Sequence, residues 1–265
     1  MFPFLTVTGN DPFIAKTGAG SRGMACVLPV SGDIWTGFQN QAFLGEGLGF
    51  NIASNYETRY FLKELGTRSL AISVPCAKAG IGGLYSCFGY ADFKRHMAAL
   101  SCGMPLSKNL TAGIQIDYFL EKTTGDYPVH ETLTFEAGAA IRAGKNLVAD
   151  LHLFNPLPGL TGSSDLPAAM QIGVGNLINE NLFAGLRIEI ETGQKPSLSA
   201  GFDYKMPGKV RIRGGYCTRW SSFSFGLGYK AGPAVIDIAF YTHEKLGISS
   251  SASIAFTIIK PRRKS

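Results

Sequence analysis

From residue 48 onward apolar and polar residues alternate with a period of two, segment after segment. Leu182, Ala184, Leu186, Ile188 and Ile190 share one face, opposite Arg187, Glu189 and Glu191. Leu198, Ala200, Phe202 and Tyr204 oppose Ser197, Ser199, Asp203 and Lys205, and Val210, Ile212 and Tyr216 oppose Arg211 and Arg213. Phe223, Phe225, Leu227 and Tyr229 then face away from Ser and Gly, and Ile236, Ile238 and Phe240 face away from Asp237. Upstream, Leu133, Phe135, Ala137, Ala139 and Ile141 oppose Thr134, Glu136 and Arg142. This period is that of strands and not of helices. Strands are predicted over 48–59, 67–75, 80–90, 94–104, 109–122, 129–143, 146–155, 167–177, 181–192, 196–205, 209–218, 221–230, 234–242 and 249–259. That is fourteen strands, most of them close to the ~9–11 residues a tilted transmembrane strand needs.

The connections fall into two sets. Every second one is tight, such as Ala77-Lys78-Ala79-Gly80, Ala143-Gly144-Lys145-Asn146 and Met206-Pro207-Gly208-Lys209. The intervening ones are expected to be longer and more varied: a helix-like Phe61–Leu65, the stretch 122–128, the stretch 155–167 and the stretch 242–247. Short turns at one end and longer loops at the other match an outer-membrane barrel with its short side periplasmic. The expectation is an all-β, 14-stranded antiparallel transmembrane β-barrel over 48–259 with both termini periplasmic.

Composition separates this from a water-soluble sandwich or propeller, which alternates as well. Charged residues are 17% of the chain and glycines number 33. The polar face is mostly Gly and Ser with a few charges of both signs, and the apolar face carries essentially none, as lipid requires. Arg187, Glu189, Glu191, Asp203, Lys205, Arg211, Arg213 and Asp237 lie on neighbouring strands and are predicted to form a lumen charge network, since a lone buried charge is costly. No apolar run reaches the length of a membrane-spanning helix, and residues 1–12 show no secretory leader, so the numbering is expected to begin at or near a processed chain.

Residues 1–47 do not alternate. Ile34, Trp35, Phe38, Asn40, Phe43 and Leu44 are the anchors expected of a plug-like or hatch-like segment folded back into the lumen; a peripheral periplasmic hairpin is the alternative. Residues 260–265, with Lys260, Arg262, Arg263 and Lys264, form a basic tail that reads either as a solvated terminus or as a contact for anionic headgroups or a partner. The formal charge of +6 is scattered, with no basic patch, so nucleic acid is not expected as a partner.

Chemistry is sparse. The five cysteines form no CxxC pair and the four histidines are far apart, so no metal site is expected, although one disulfide pair remains open. His152 shares a face with Asp150 without an obvious Ser nucleophile, His130 and His243 fall at strand ends, and His96 adjoins Lys94 and Arg95. No catalytic or phosphate-binding motif appears, and a non-enzyme without cofactors is expected.

Two segments carry a family resemblance. Gly20-Ser21-Arg22-Gly23-Met24-Ala25, the link Gly32-Asp33-Ile34-Trp35 and Asn40-Gln41-Ala42-Phe43-Leu44 resemble the start of the fatty-acid-transporter (FadL) superfamily. The likeness is to its Bacteroidota branch, with the type IX secretion proteins PorV and PorQ. That branch carries G-A-R-x-x-G-M-G-G-A and then N-P-A-G-L; here Gln41 replaces the Pro and Phe43 the Gly. Phe240-Tyr241-Thr242-His243-Glu244-Lys245-Leu246-Gly247 is similar to the branch's final hairpin. The resemblance implies an accessory subunit of a larger outer-membrane secretion or assembly complex, presenting loops or barrel wall among outer-membrane lipids. Resemblance to the transporters themselves implies passive uptake of a hydrophobic ligand.

Overall fold

The structure, a computed structural model, describes residues 17–28, 33–125, 128–157 and 166–259. The fourteen strands are β1 (Phe50–Arg59), β2 (Leu62–Cys76), β3 (Ala79–Gly89), β4 (Phe93–Pro105), β5 (Leu110–Thr123), β6 (His130–Ala143) and β7 (Leu147–Phe154), followed by β8 (Ala169–Leu177), β9 (Leu182–Glu191), β10 (Ser197–Lys205), β11 (Val210–Cys217), β12 (Ser222–Ala231), β13 (Ala234–His243) and β14 (Gly247–Ile259). Each pairs antiparallel with its chain neighbours, and β1 pairs with β14 to close the barrel. Strand number and order match the sequence expectation.

The barrel's polarity is inverted relative to a soluble protein. Leu70, Ile114, Leu186, Phe223 and Leu227 point outward and are exposed, whereas Asn55, Glu57, Gln115, Asp117, Glu136 and Arg187 point inward and are buried. A continuous apolar belt of this kind would be untenable in water and is the surface of a membrane-spanning barrel. Two short helices, α1 (Ala19–Arg22) and α2 (Ile34–Gln39), and a 3-10 turn (Gln41–Glu46) precede β1.

Two expectations need correction. Phe61–Leu65 is not helical: Tyr60 and Phe61 form a two-residue hairpin turn with φ of 55° and 56°, and β2 starts at Leu62, pairing with Arg59 after a register shift. The backbone twist of such a turn suits a hairpin, although aromatic residues seldom adopt it. The longer-loop side is also less distinct than expected. The connections 60–61, 90–92, 218–221 and 244–246 are as tight as those at the opposite end, and the length difference rests on 124–129, 155–168 and, by a single residue, 192–196. Residues 126–127 and 158–165 of those two connections lie outside the described residues, as do residues 1–16 and the basic tail 260–265.

Candidate functional site

The lumen is where this sequence concentrates its polar chemistry, and the wall is built to bring backbone close there. Gly80, Gly103, Gly113 and Gly138 are cross-strand partners in turn, forming an unbroken row across β3, β4, β5 and β6. The 3-10 turn Gln41–Glu46 rests on this row. A Cβ built at Gly103 would lie 2.1 Å from the Gln41 carbonyl oxygen, and one at Gly80 2.2 Å from that of Leu44. A second row, Gly175, Gly185, Gly201 and Gly215, crosses β8 to β11. Met24, Ala25 and Val27 sit on its last three members. Glycine ordinarily weakens a strand, and here each row trades side-chain packing for direct seating of a second backbone.

Local capping shapes the segment that sits on these rows. Asp33 begins α2 with a capping box: its carboxylate accepts from the Thr36 amide at 2.8 Å, and the Asp33 amide donates to the Thr36 hydroxyl. Asn40 ends the helix in an extended conformation and turns the chain into the 3-10 turn by accepting from the Ala42 amide. Gly18, at φ 97°, lies against Trp35, where a Cβ would meet the indole at 2.6 Å.

All six expected anchors are buried. Ile34, Trp35 and Phe38 join Leu84, Met97, Phe119, Phe154 and Leu166 in one apolar cluster. Phe43 packs with Leu28, Ala42, Ala140 and Val148 in another. Leu44 covers Gly80 and Gly103. Asn40 is held by polar contacts: its amide donates to the Leu151 carbonyl at 3.1 Å and to Asp150 at 3.2 Å. Its truncation to alanine strips a buried acceptor from Ala42 and donors from β7, and is expected to cost about 1–3 kcal/mol in a denaturant unfolding midpoint. An unchanged midpoint would show that these hydrogen bonds hold nothing in place.

Seven of the eight expected charges form ion pairs inside the wall. Arg187 pairs with Asp150 at 3.1 Å, and Arg219 bridges Glu189 at 3.1 Å and Glu191. Asp203 lies between Arg211 and Arg213, the latter at 3.1 Å, and Arg213 also binds Asp237. Lys205 is the exception. It shares the phase of the buried Asp203, but as the last residue of β10 it lies at the rim and is exposed.

The structure adds groups that alternation did not single out. Arg22 on α1 makes a bidentate pair with Glu57 of β1 at 2.8 and 2.9 Å and stacks over the Tyr241 ring at 5.1 Å. Burial alone would loosen the Arg22 proton, but the Glu57 carboxylate overrides it and the guanidinium titrates well above its ordinary range. Gln41 donates to Glu136, which also meets His152 Nε2 at 2.9 Å, and Arg142 clamps Glu46 of the 3-10 turn at 2.6 Å. The inward phase of Glu57, Asp150 and Glu136 was visible in their strands; their partners on the N-terminal segment were not. The five cysteines are all free thiols.

No family model matches the chain, and no curated protein matches it. Solved structures do. A Pseudomonas aeruginosa FadL homologue aligns with a TM-score of 0.63 at 12% identity, over 91% of this chain and 98% of that one. A deltaS2S3 mutant of the monoaromatic hydrocarbon channel TodX aligns with a TM-score of 0.67 at 10% identity, over 92% and 99%. The Ralstonia pickettii toluene transporter TbuX aligns with a TM-score of 0.62 at 11% identity, over 94% and 99%. With a closed fourteen-stranded barrel, a polar lumen and an apolar belt already in place, these alignments give the chain the fold of the FadL-type transmembrane barrels.

Proposed function

We propose that the protein is a passive conduit for hydrophobic small molecules across the bacterial outer membrane, with both termini periplasmic. In this reading residues 1–47 act as a plug, 48–259 form the barrel and 260–265 trail into the periplasm. The observation that carries it is the fold match, over more than nine-tenths of this chain, to the FadL homologue, the monoaromatic hydrocarbon channel TodX and the toluene transporter TbuX. Trp35, Phe38, Phe119 and Phe154 form a buried apolar cluster inside the otherwise polar lumen, which a hydrocarbon would meet where the N-terminal segment moves aside. No catalytic step is involved.

The second reading is an accessory subunit of a larger outer-membrane complex. It draws on the ion-paired lumen and on the tightness of most connections at both barrel ends, which leave little of a capture site. No comparison supports a link to type IX secretion or to Bacteroidota, and the conduit is the better-supported reading.

One experiment separates the two. The protein is purified gently from its native membrane, everything that stays bound is identified by mass spectrometry, and the pure barrel is reconstituted into vesicles to follow toluene and fatty-acid entry. A lone barrel that speeds entry severalfold over protein-free vesicles is the expected result. Stoichiometric recovery of a large partner, with entry no faster than in empty vesicles, would transfer the function to the accessory reading.

A further inference from the structure

The excess positive charge is scattered along the sequence, but the topology gathers part of it at one end of the barrel. β1 begins and β14 finishes at that end, so the connections β2–β3, β4–β5, β6–β7, β8–β9, β10–β11 and β12–β13 all lie there. Lys78, Lys108, Lys145 and Lys209 stand in four of these connections; Lys205 is the last residue of β10 and Lys230 the next to last of β12. All six are exposed. None of their ammonium groups is in an ion pair among the described residues. Glu180, between β8 and β9, is the one acid in these connections. The opposite end is mixed: exposed Lys63, Lys94, Lys122, Lys195 and Lys245 alternate with exposed Glu64, Asp92, Glu131 and Glu244, and Arg95 is paired with Glu121.

Two observations say what meets this basic rim. The apolar belt runs up to it, since Leu106, Ile178 and Met206 are exposed within the connections themselves. The lysines therefore stand where hydrocarbon gives way to headgroups, with their stems able to lie along apolar surface while the ammonium reaches the polar layer. The charges are also spread around the perimeter, at five of the six hairpins, and not collected into one patch. The acidic face of a protein would meet a few of them at a time, whereas a bilayer encircles the barrel and meets them all. An uncompensated ammonium is a compact point donor suited to phosphate oxygens. We infer that this rim is a binding surface for anionic phospholipid headgroups, whose phosphates accept from the lysines of successive hairpins. The inference rests on the membrane-spanning fold and is the same for a conduit and for an accessory subunit. It makes the two ends of the barrel unequal, seating the lysine-bearing end in whichever leaflet is richer in anionic phospholipid.

The test reconstitutes the full chain into phosphatidylcholine vesicles carrying a trace of spin-labelled lipid and reads the share of label immobilised against the barrel. Labelled phosphatidylglycerol is expected to associate about threefold more strongly than labelled phosphatidylcholine at low salt, and equally in about 1 M sodium chloride, where the screening length is only ~3 Å. Lys78→Gln, Lys108→Gln, Lys145→Gln, Lys205→Gln, Lys209→Gln and Lys230→Gln together are expected to abolish the preference. Lys63→Gln, Lys94→Gln and Lys122→Gln together, at the opposite end, are expected to leave it intact. Should the six-fold variant lack the heat-dependent gel mobility of a closed barrel, its first three and last three changes are made separately, and each set is expected to remove part of the preference. A parent protein that holds both lipids equally at low salt would overturn the proposal and leave the rim to a soluble acidic partner. A preference that survives whole in the folded glutamine variants, or that vanishes in the opposite-end variant, would overturn it as well.

Discussion

Replacing Gly103 by valine is expected to destabilise the barrel by about 3 kcal/mol, the upper end of what overpacking usually costs. The reason is the neighbour that the new side chain would meet. A Cβ at this position lies 2.1 Å from the Gln41 carbonyl oxygen and 2.8 Å from the Gly45 amide nitrogen, both backbone atoms that no rotamer change can move aside. Either β4 bows outward or the 3-10 turn lifts off its row. Gly83 faces the other way on the adjacent strand and meets only the Ile72 methyl at 3.3 Å, so Gly83→Ala is the matched control and should shift the unfolding midpoint little. Limited proteolysis distinguishes the two ways the strain is released: cleavage within residues 33–47 marks a lifted turn, whereas a resistant chain with a lower midpoint marks a bowed wall. Equal midpoints for Gly103→Val and the parent would mean that the segment does not rest on the wall in this register.

The second large effect belongs to Arg213. Its guanidinium joins Asp203 and Asp237 inside the wall, and Asp237 has no other ion pair among the described residues. Arg213→Met keeps the length of the side chain and removes the charge, leaving a buried carboxylate without a counter-ion at an expected cost of about 3–5 kcal/mol. Asp203 suffers less, because Arg211 still holds it. The double variant Arg213→Met with Asp237→Asn should recover more than half of the loss, since the harm comes from the orphaned charge and not from the missing attraction. A double variant no more stable than Arg213→Met alone would assign the cost to packing around the guanidinium instead.

Most of the barrel was legible because the strands alternate strictly and the inward phase is polar. The charges at Arg187, Glu189, Glu191, Asp203, Arg211, Arg213 and Asp237 could be grouped by phase alone. Phe61–Leu65 misled for a local reason: Leu62 and Leu65 have helical spacing over too few residues to decide a period, and two aromatics in left-handed turn positions carry none of the usual Gly or Asn signal. The glycine rows were hidden differently. Gly80, Gly103, Gly113 and Gly138 are unremarkable within their own strands and become a surface only when pairing sets the register. The candidate site suffered most, because its links join residues far apart in the chain. Asn40 to Asp150, Gln41 to Glu136 and Arg22 to Glu57 connect a segment without alternation to strands that have it, and no local pattern announces such a contact.

Closure of the barrel has a consequence for company. With β1 hydrogen-bonded to β14, every strand has a neighbour on both sides and the sheet has no free edge. Neither a second copy of the chain nor a foreign peptide can attach by contributing a strand, which is the cheapest way for β-proteins to associate and also the commonest way for them to aggregate. Whatever binds this barrel from outside must grip side chains on the belt or at the connections.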